Sequence, residues 1–129
     1  MRKVNKIIVH CSDSDVKGHD DISIIRGWHV NERNFNDVGY HYFIKWDGTI
    51  QTGRALDIVG AHCYGQNKDS IGICLHGRKT FTEEQFCALR TLVKALNNKF
   101  SLSNSDVYGH NHFDKKKTCP NFDVQEKIK

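Results

Sequence analysis

Two hydrophobic periods divide this chain into elements. Lys6 to His10 carries Ile7, Ile8 and Val9 in succession, a β-branched run that predicts a buried strand ending at His10. Asp13 to Asp21 is polar, contains Gly18 and reads as a loop. A helix is expected from about Ile22 to Arg33, with Ile22, Ile25 and Trp28 on one face and Asp20 or Asp21 as its cap. Tyr40 to Trp46 is aromatic and β-rich; Asp47-Gly48 signals a hairpin turn, and Thr49 to Gly53 returns. Ile71 to Leu75 predicts a second buried strand. Thr82-Glu83-Glu84-Gln85 is a capping box that opens a helix to about Phe100, with Phe86, Leu89, Leu92, Val93 and Leu96 as its apolar stripe. Val107 and Tyr108 predict a last short strand ending at Gly109-His110, and Asp123 to Lys129 a final turn or two of helix. Helices that alternate with strands predict one α/β domain over residues 1–129, a central mixed β-sheet flanked by helices.

Composition narrows the class. A length of 129 residues with 38% hydrophobic positions and one Pro suits a compact domain that buries a core without disulfides. The five cysteines are scattered and form no C-x-x-C pair, so they read as reduced thiols, with Cys11, Cys63, Cys74 and Cys87 expected to be buried. The basic start, Met1-Arg2-Lys3-Val4-Asn5-Lys6, leads into only three apolar residues, which is no secretory signal, and no apolar run reaches membrane-spanning length. Synthesis in a cytosol is therefore expected. The net charge of +4 suits an anionic partner but is small, and no basic stripe with interleaved aromatics argues for nucleic acid.

Three residues at predicted strand ends have the chemistry of a metal site. His10 ends the first strand, His110 the last, and Cys119 lies in the loop that follows. Imidazole and thiolate are zinc ligands, and a catalytic zinc keeps three protein ligands and one open position. Residue types alone favour a plainer reading, with a core histidine, a loop histidine and a buried thiol. His112, two residues past His110, would point the same way in an extended segment and compete for the same metal. His76 reads as an exposed histidine at a strand end, and His41 as structural.

The ordered stretches Ile7-Ile8-Val9-His10-Cys11-Ser12, Val38-Gly39-Tyr40-His41-Tyr42, Trp46-Asp47-Gly48-Thr49, Gly60-Ala61-His62, Asn67-Lys68-Asp69-Ser70-Ile71-Gly72-Ile73 and Lys117-Thr118-Cys119-Pro120 change that balance. Together they resemble the type 2 N-acetylmuramoyl-L-alanine amidases, a family that includes short phage endolysins and is related to peptidoglycan-recognition proteins. The resemblance runs from about Lys6 to Asp123. It implies one zinc ion per chain held by His10, His110 and Cys119, a catalytic tyrosine at Tyr40, a catalytic lysine at Lys117 and a substrate-binding position at His62. It implies hydrolysis of the amide between N-acetylmuramic acid and L-alanine in bacterial peptidoglycan, by a monomer that stays in the host cytosol until lysis if phage-encoded. The competing expectations are a wall-binding module that does not cut, and a regulatory partner of an RNA polymerase, for which Arg2, Lys3 and Lys6 offer a basic contact.

Overall fold

The computed structural model describes residues 2–129. Five strands form one mixed sheet: β1 (Lys6–Cys11), β2 (Tyr42–Ile44), β3 (Ile50–Thr52), β4 (Ser70–Leu75) and β5 (Val107–Gly109). Their order is β3-β2-β4-β1-β5, parallel throughout except for the β2–β3 hairpin. The helices are α1 (Ile22–Glu32), α2 (Glu83–Phe100), α3 (His110–Phe113) and α4 (Val124–Lys127). None of the described helices is long and apolar enough to cross a membrane.

Both faces of the sheet are covered, which is why β1 and β4 read as continuous apolar runs rather than alternating ones. On one face Ile7, Val9, Ile71, Ile73 and Leu75 pack against Phe86, Leu89, Val93 and Leu96 of α2. On the other, Phe43 and Cys74 pack against Ile22 and Ile25 of α1 and Val38 of the loop after it. Asp21 caps α1 by accepting from the Ser23 amide. The α2 capping box forms as predicted: Thr82 accepts from the Gln85 amide, and the Gln85 side chain accepts from the Thr82 amide. Gln85 also ties the helix to the sheet, donating to the Ile44 and His76 carbonyls. Thr82→Ala removes one end of this arrangement. It should cost about 1 kcal/mol, read as a lower urea midpoint with an unchanged slope.

The structure corrects four local expectations. The strand predicted over Tyr40 to Trp46 is only Tyr42–Ile44, because Val38, Gly39 and Tyr40 turn aside, and their carbonyls accept from the Arg54 side chain, the Ala61 amide and the Arg54 amide in turn. His76 is fully buried, stacked edge-on against Trp46 with ring centroids 4.4 Å apart, and its Nδ1 meets the Ser12 hydroxyl. Cys87 is exposed, since it lies beside Phe86 on α2 but off the apolar stripe. His110 begins a helical turn, not an extended loop.

Candidate active site

The cavity opens at the carboxyl ends of the parallel strands, where ligand sites of such sheets form. β1 and β5 are neighbours and pair Val9 with Gly109, so the residue that follows each, His10 near the end of β1 and His110 at the start of α3, emerges at the same place. Val9 faces α2; strand alternation therefore turns His10 to the α1 side. The His10 and His110 ring centroids are 4.5 Å apart. The loop after α3 folds back beneath them: the Asn111 amide donates to the Cys119 carbonyl at 2.9 Å, and the Cys11 amide donates to Cys119 Sγ at 3.0 Å. One ligand atom from each of His10, His110 and Cys119 lies within 4.8 Å of the others, and no fourth His, Cys, Asp or Glu among the described residues joins them.

Helical geometry separates the two histidines. Residues two apart on a helix diverge by about 200°, so His112 turns away from His10 and stacks on Tyr108 with centroids 4.7 Å apart. It lines a separate open groove of about 890 Å³ with Tyr108 and Asn111, one that none of the three candidate ligands enters.

The donor set fits a zinc ion. Burial holds His10 well below its ordinary pKa, reinforced by neighbouring His62 and His110, and burial lowers His110 as well. Both rings are therefore neutral near pH 7, with lone pairs available to a cation. The Cys119 thiol, hydrogen-bonded to Cys11 and buried, is held well above the usual thiol range. A dication beside it inverts that preference and takes the thiolate. Two imidazoles, one thiolate and an open corner match a catalytic zinc site.

The cavity, of about 300 Å³, is walled by Tyr40, His29, Trp28 and Arg33 on one side and Lys116, Lys117 and Thr118 on the other. The Tyr40 ring lies 5.1 Å from the His10 ring, and burial raises its phenol pKa well above 10, so it keeps its proton. Lys117 is exposed at the rim. Trp28, expected in the core, is only partly buried there and also lines the cavity. His62 is nearly buried. Its Nδ1 meets His10 Nε2 at 2.9 Å and its Nε2 meets Ser70 Oγ at 3.2 Å, so both ring nitrogens are engaged within the protein while the residue lines the cavity.

His29 was not anticipated. It sits on the buried stripe of α1 with Ile22 and Ile25, its Nδ1 accepts from the Gly39 amide at 2.8 Å, and its ring centroid is 5.4 Å from that of Tyr40. A histidine in register with an apolar stripe was the available signal.

Two buried histidines outside the ligand set give the fold a pH dependence. His41 accepts from the Gly72 amide at Nδ1 and donates from Nε2 to the Ile58 carbonyl, 3.0 and 2.8 Å, so it is held neutral. Burial depresses His41 and His29 to about 4. Unfolded histidine titrates near 6.5, so the unfolded chain binds more protons between those values and stability falls as pH falls. The stabilisation is complete above about pH 6.5 and is lost toward pH 4, at up to about 1.4 kcal/mol per pH unit for each histidine. Urea unfolding of metal-free protein should give a flat midpoint from pH 7 to 8 and a steep decline from 6 to 4.

Comparison with known proteins agrees with this geometry. The sequence profile of a family described as N-acetylmuramoyl-L-alanine amidase matches residues 1–122. An endolysin of Klebsiella phage KP32 is 36% identical over 132 residues, covering 96% of this chain and 85% of the relative. Among solved structures, the endolysin N-acetylmuramoyl-L-alanine amidase LysCS from Clostridium intestinale superposes with a TM-score of 0.85 at 30% identity, over 98% of this chain and 82% of the other. Drosophila PGRP-LB superposes with a TM-score of 0.78 at 26% identity, over 93% and 76%.

Proposed function

The chain belongs to the N-acetylmuramoyl-L-alanine amidase family and is a peptidoglycan amidase, and from that premise we propose that it works as a zinc enzyme whose metal is held by His10, His110 and Cys119. The observation that carries the proposal is the convergence of these three side chains, remote in sequence, with no fourth candidate ligand among the described residues.

A zinc ion bound there would polarise the scissile carbonyl and make an attacking water available near neutral pH. The remaining work falls to the side chains around it. The bond to be cut joins the lactyl group of N-acetylmuramic acid to L-alanine. Hydrolysis puts negative charge on the carbonyl oxygen and needs a proton for the departing amine. Tyr40, a protonated phenol beside His10, supplies a hydrogen bond to the first or a proton toward the second. Lys117 brings an ammonium group over the rim and stabilises the same oxygen. The walls built by Trp28 and Arg33 exclude water from one side and orient the chain being cut.

We read the protein as an endolysin-like monomer with one catalytic unit over residues 1–129, made in a host cytosol and acting on the wall at lysis. Mass spectrometry of digested muropeptides tests the reading. New L-alanine amino termini should accumulate, chelator should stop their release, and added zinc should restore it. Equal release with chelator present sinks the metal proposal. New reducing sugar ends would identify a glycosidase instead. Binding to wall without any release would make the chain a recognition module.

A further inference from the structure

His62 lines the cavity and also backs the candidate ligand His10. Its backbone is fixed first: the His62 and Cys63 amides both donate to Asn67 Oδ1, at 2.9 and 3.0 Å. Its ring fills a slot that only glycine leaves open. A Cβ at Gly72 would lie 2.6 Å from His62 Cγ and Cδ2, and one at Gly60 would lie 2.7 Å from Cδ2. Gly72 is in the interior of β4, where glycine weakens a strand unless a close approach requires it. The ring stands nearly perpendicular to that of His10, at 88°, with centroids 4.9 Å apart. From this slot it meets His10 Nε2 through Nδ1 and Ser70 Oγ through Nε2.

A neutral imidazole has one donor and one acceptor, so the row His10, His62, Ser70 has two proton arrangements. In one, the Ser70 hydroxyl donates to His62 Nε2, His62 Nδ1 donates to His10 Nε2, and His10 carries its own proton on Nδ1. In the other, His10 Nε2 donates to His62 Nδ1, and His62 Nε2 donates to Ser70 Oγ. Only the second leaves a lone pair on His10 Nδ1 for a cation. We propose that His62 is a positioning residue for the metal ligand His10: it accepts the Nε2 proton of His10, so that the tautomer and the ring plane of the ligand are set by a histidine that is itself anchored on Ser70. The inference rests on the zinc reading above. It assigns His62 a task beyond lining the groove.

Ligand-orienting partners of this kind are worth about 10- to 100-fold in metal affinity. Zinc affinity is measured by competition with a chromophoric chelator on wild type, His62→Leu, His62→Gln and Ser70→Ala, with folding of each metal-free protein followed by urea unfolding. The Leu variant fills the slot but cannot accept a proton, and its affinity should fall about 10- to 100-fold. Gln retains an acceptor and should recover most of it. The Ser70 variant, which loosens only the far anchor, should fall less than the Leu variant. Nitrogen NMR of the zinc-loaded wild type should show the His62 proton on Nε2. A folded His62→Leu protein with wild-type zinc affinity, or a His62 proton on Nδ1 in the loaded protein, overturns the proposal. A wild type that binds no zinc, indistinguishable from His10→Ala, overturns the zinc reading and this inference with it. If the Leu variant does not fold, the Gln and Ser70 variants and the tautomer decide. Wild-type zinc affinity with a raised KM for wall would return His62 to the substrate groove.

Discussion

Cys119→Ala should abolish wall cleavage while leaving the protein folded. A metal stabilises the charge that develops on a carbonyl oxygen by several kcal/mol, and at 1.36 kcal/mol per tenfold in rate the loss is at least ~10³-fold. Cys119 is only partly buried and sits in a loop, so its truncation leaves no large cavity. Its removal leaves two imidazoles, His10 and His110, for any cation. Muropeptide release measured against a folding control by circular dichroism gives the answer. A Cys119→Ala protein that keeps a tenth of the wild-type rate excludes the thiolate as a required ligand. Lys117→Ala should be milder, because it removes one donor rather than the whole centre; about 10² in rate is the scale for such a group.

Phe43→Ala should be the most damaging single truncation for stability. Phe43 has no exposed surface, lies in β2 between β3 and β4, and packs with Ile22, Ile25, Val38 and Cys74, with Trp28 and Tyr40 against the same cluster. Emptying such a site costs about 3–5 kcal/mol, a large part of the 5–15 kcal/mol typical of a domain. The effect reaches function, since Tyr40 rests on this cluster. Urea unfolding should show the drop, and Phe43→Leu should recover most of it. A loss under 1 kcal/mol would mean that α1 collapses into the space, and that the wall behind Tyr40 is softer than its packing indicates.

Much of this architecture was written in local chemistry. The capping box at Thr82 and the stripe from Phe86 to Leu96 specify α2 without reference to any other element. Asp47-Gly48 marks the hairpin, with Gly48 at positive φ as a tight turn requires. The β-branched run before His10 locates β1. What local pattern could not supply was tertiary. Four residues make too little helix to show a period, so α3 was invisible, and with it the reason that His110 and His112 diverge. His76 looked like a strand-end histidine because its cover, Trp46, comes from thirty residues away. The contacts of His62 are hidden for a similar reason: its partners His10 and Ser70 lie on strands whose adjacency no spacing rule reveals. His29 was passed over because its neighbours Ile25 and Trp28 made the helix face read as plain core.

The pairing of β1 with β5 has one more consequence. A nascent polypeptide ending before residue 110 holds the first strand, both long helices and the hairpin, yet it lacks two of the three side chains that would grip the ion. A fragment cut short there should therefore keep much of the sheet and its covering helices and yet hold no metal at this place.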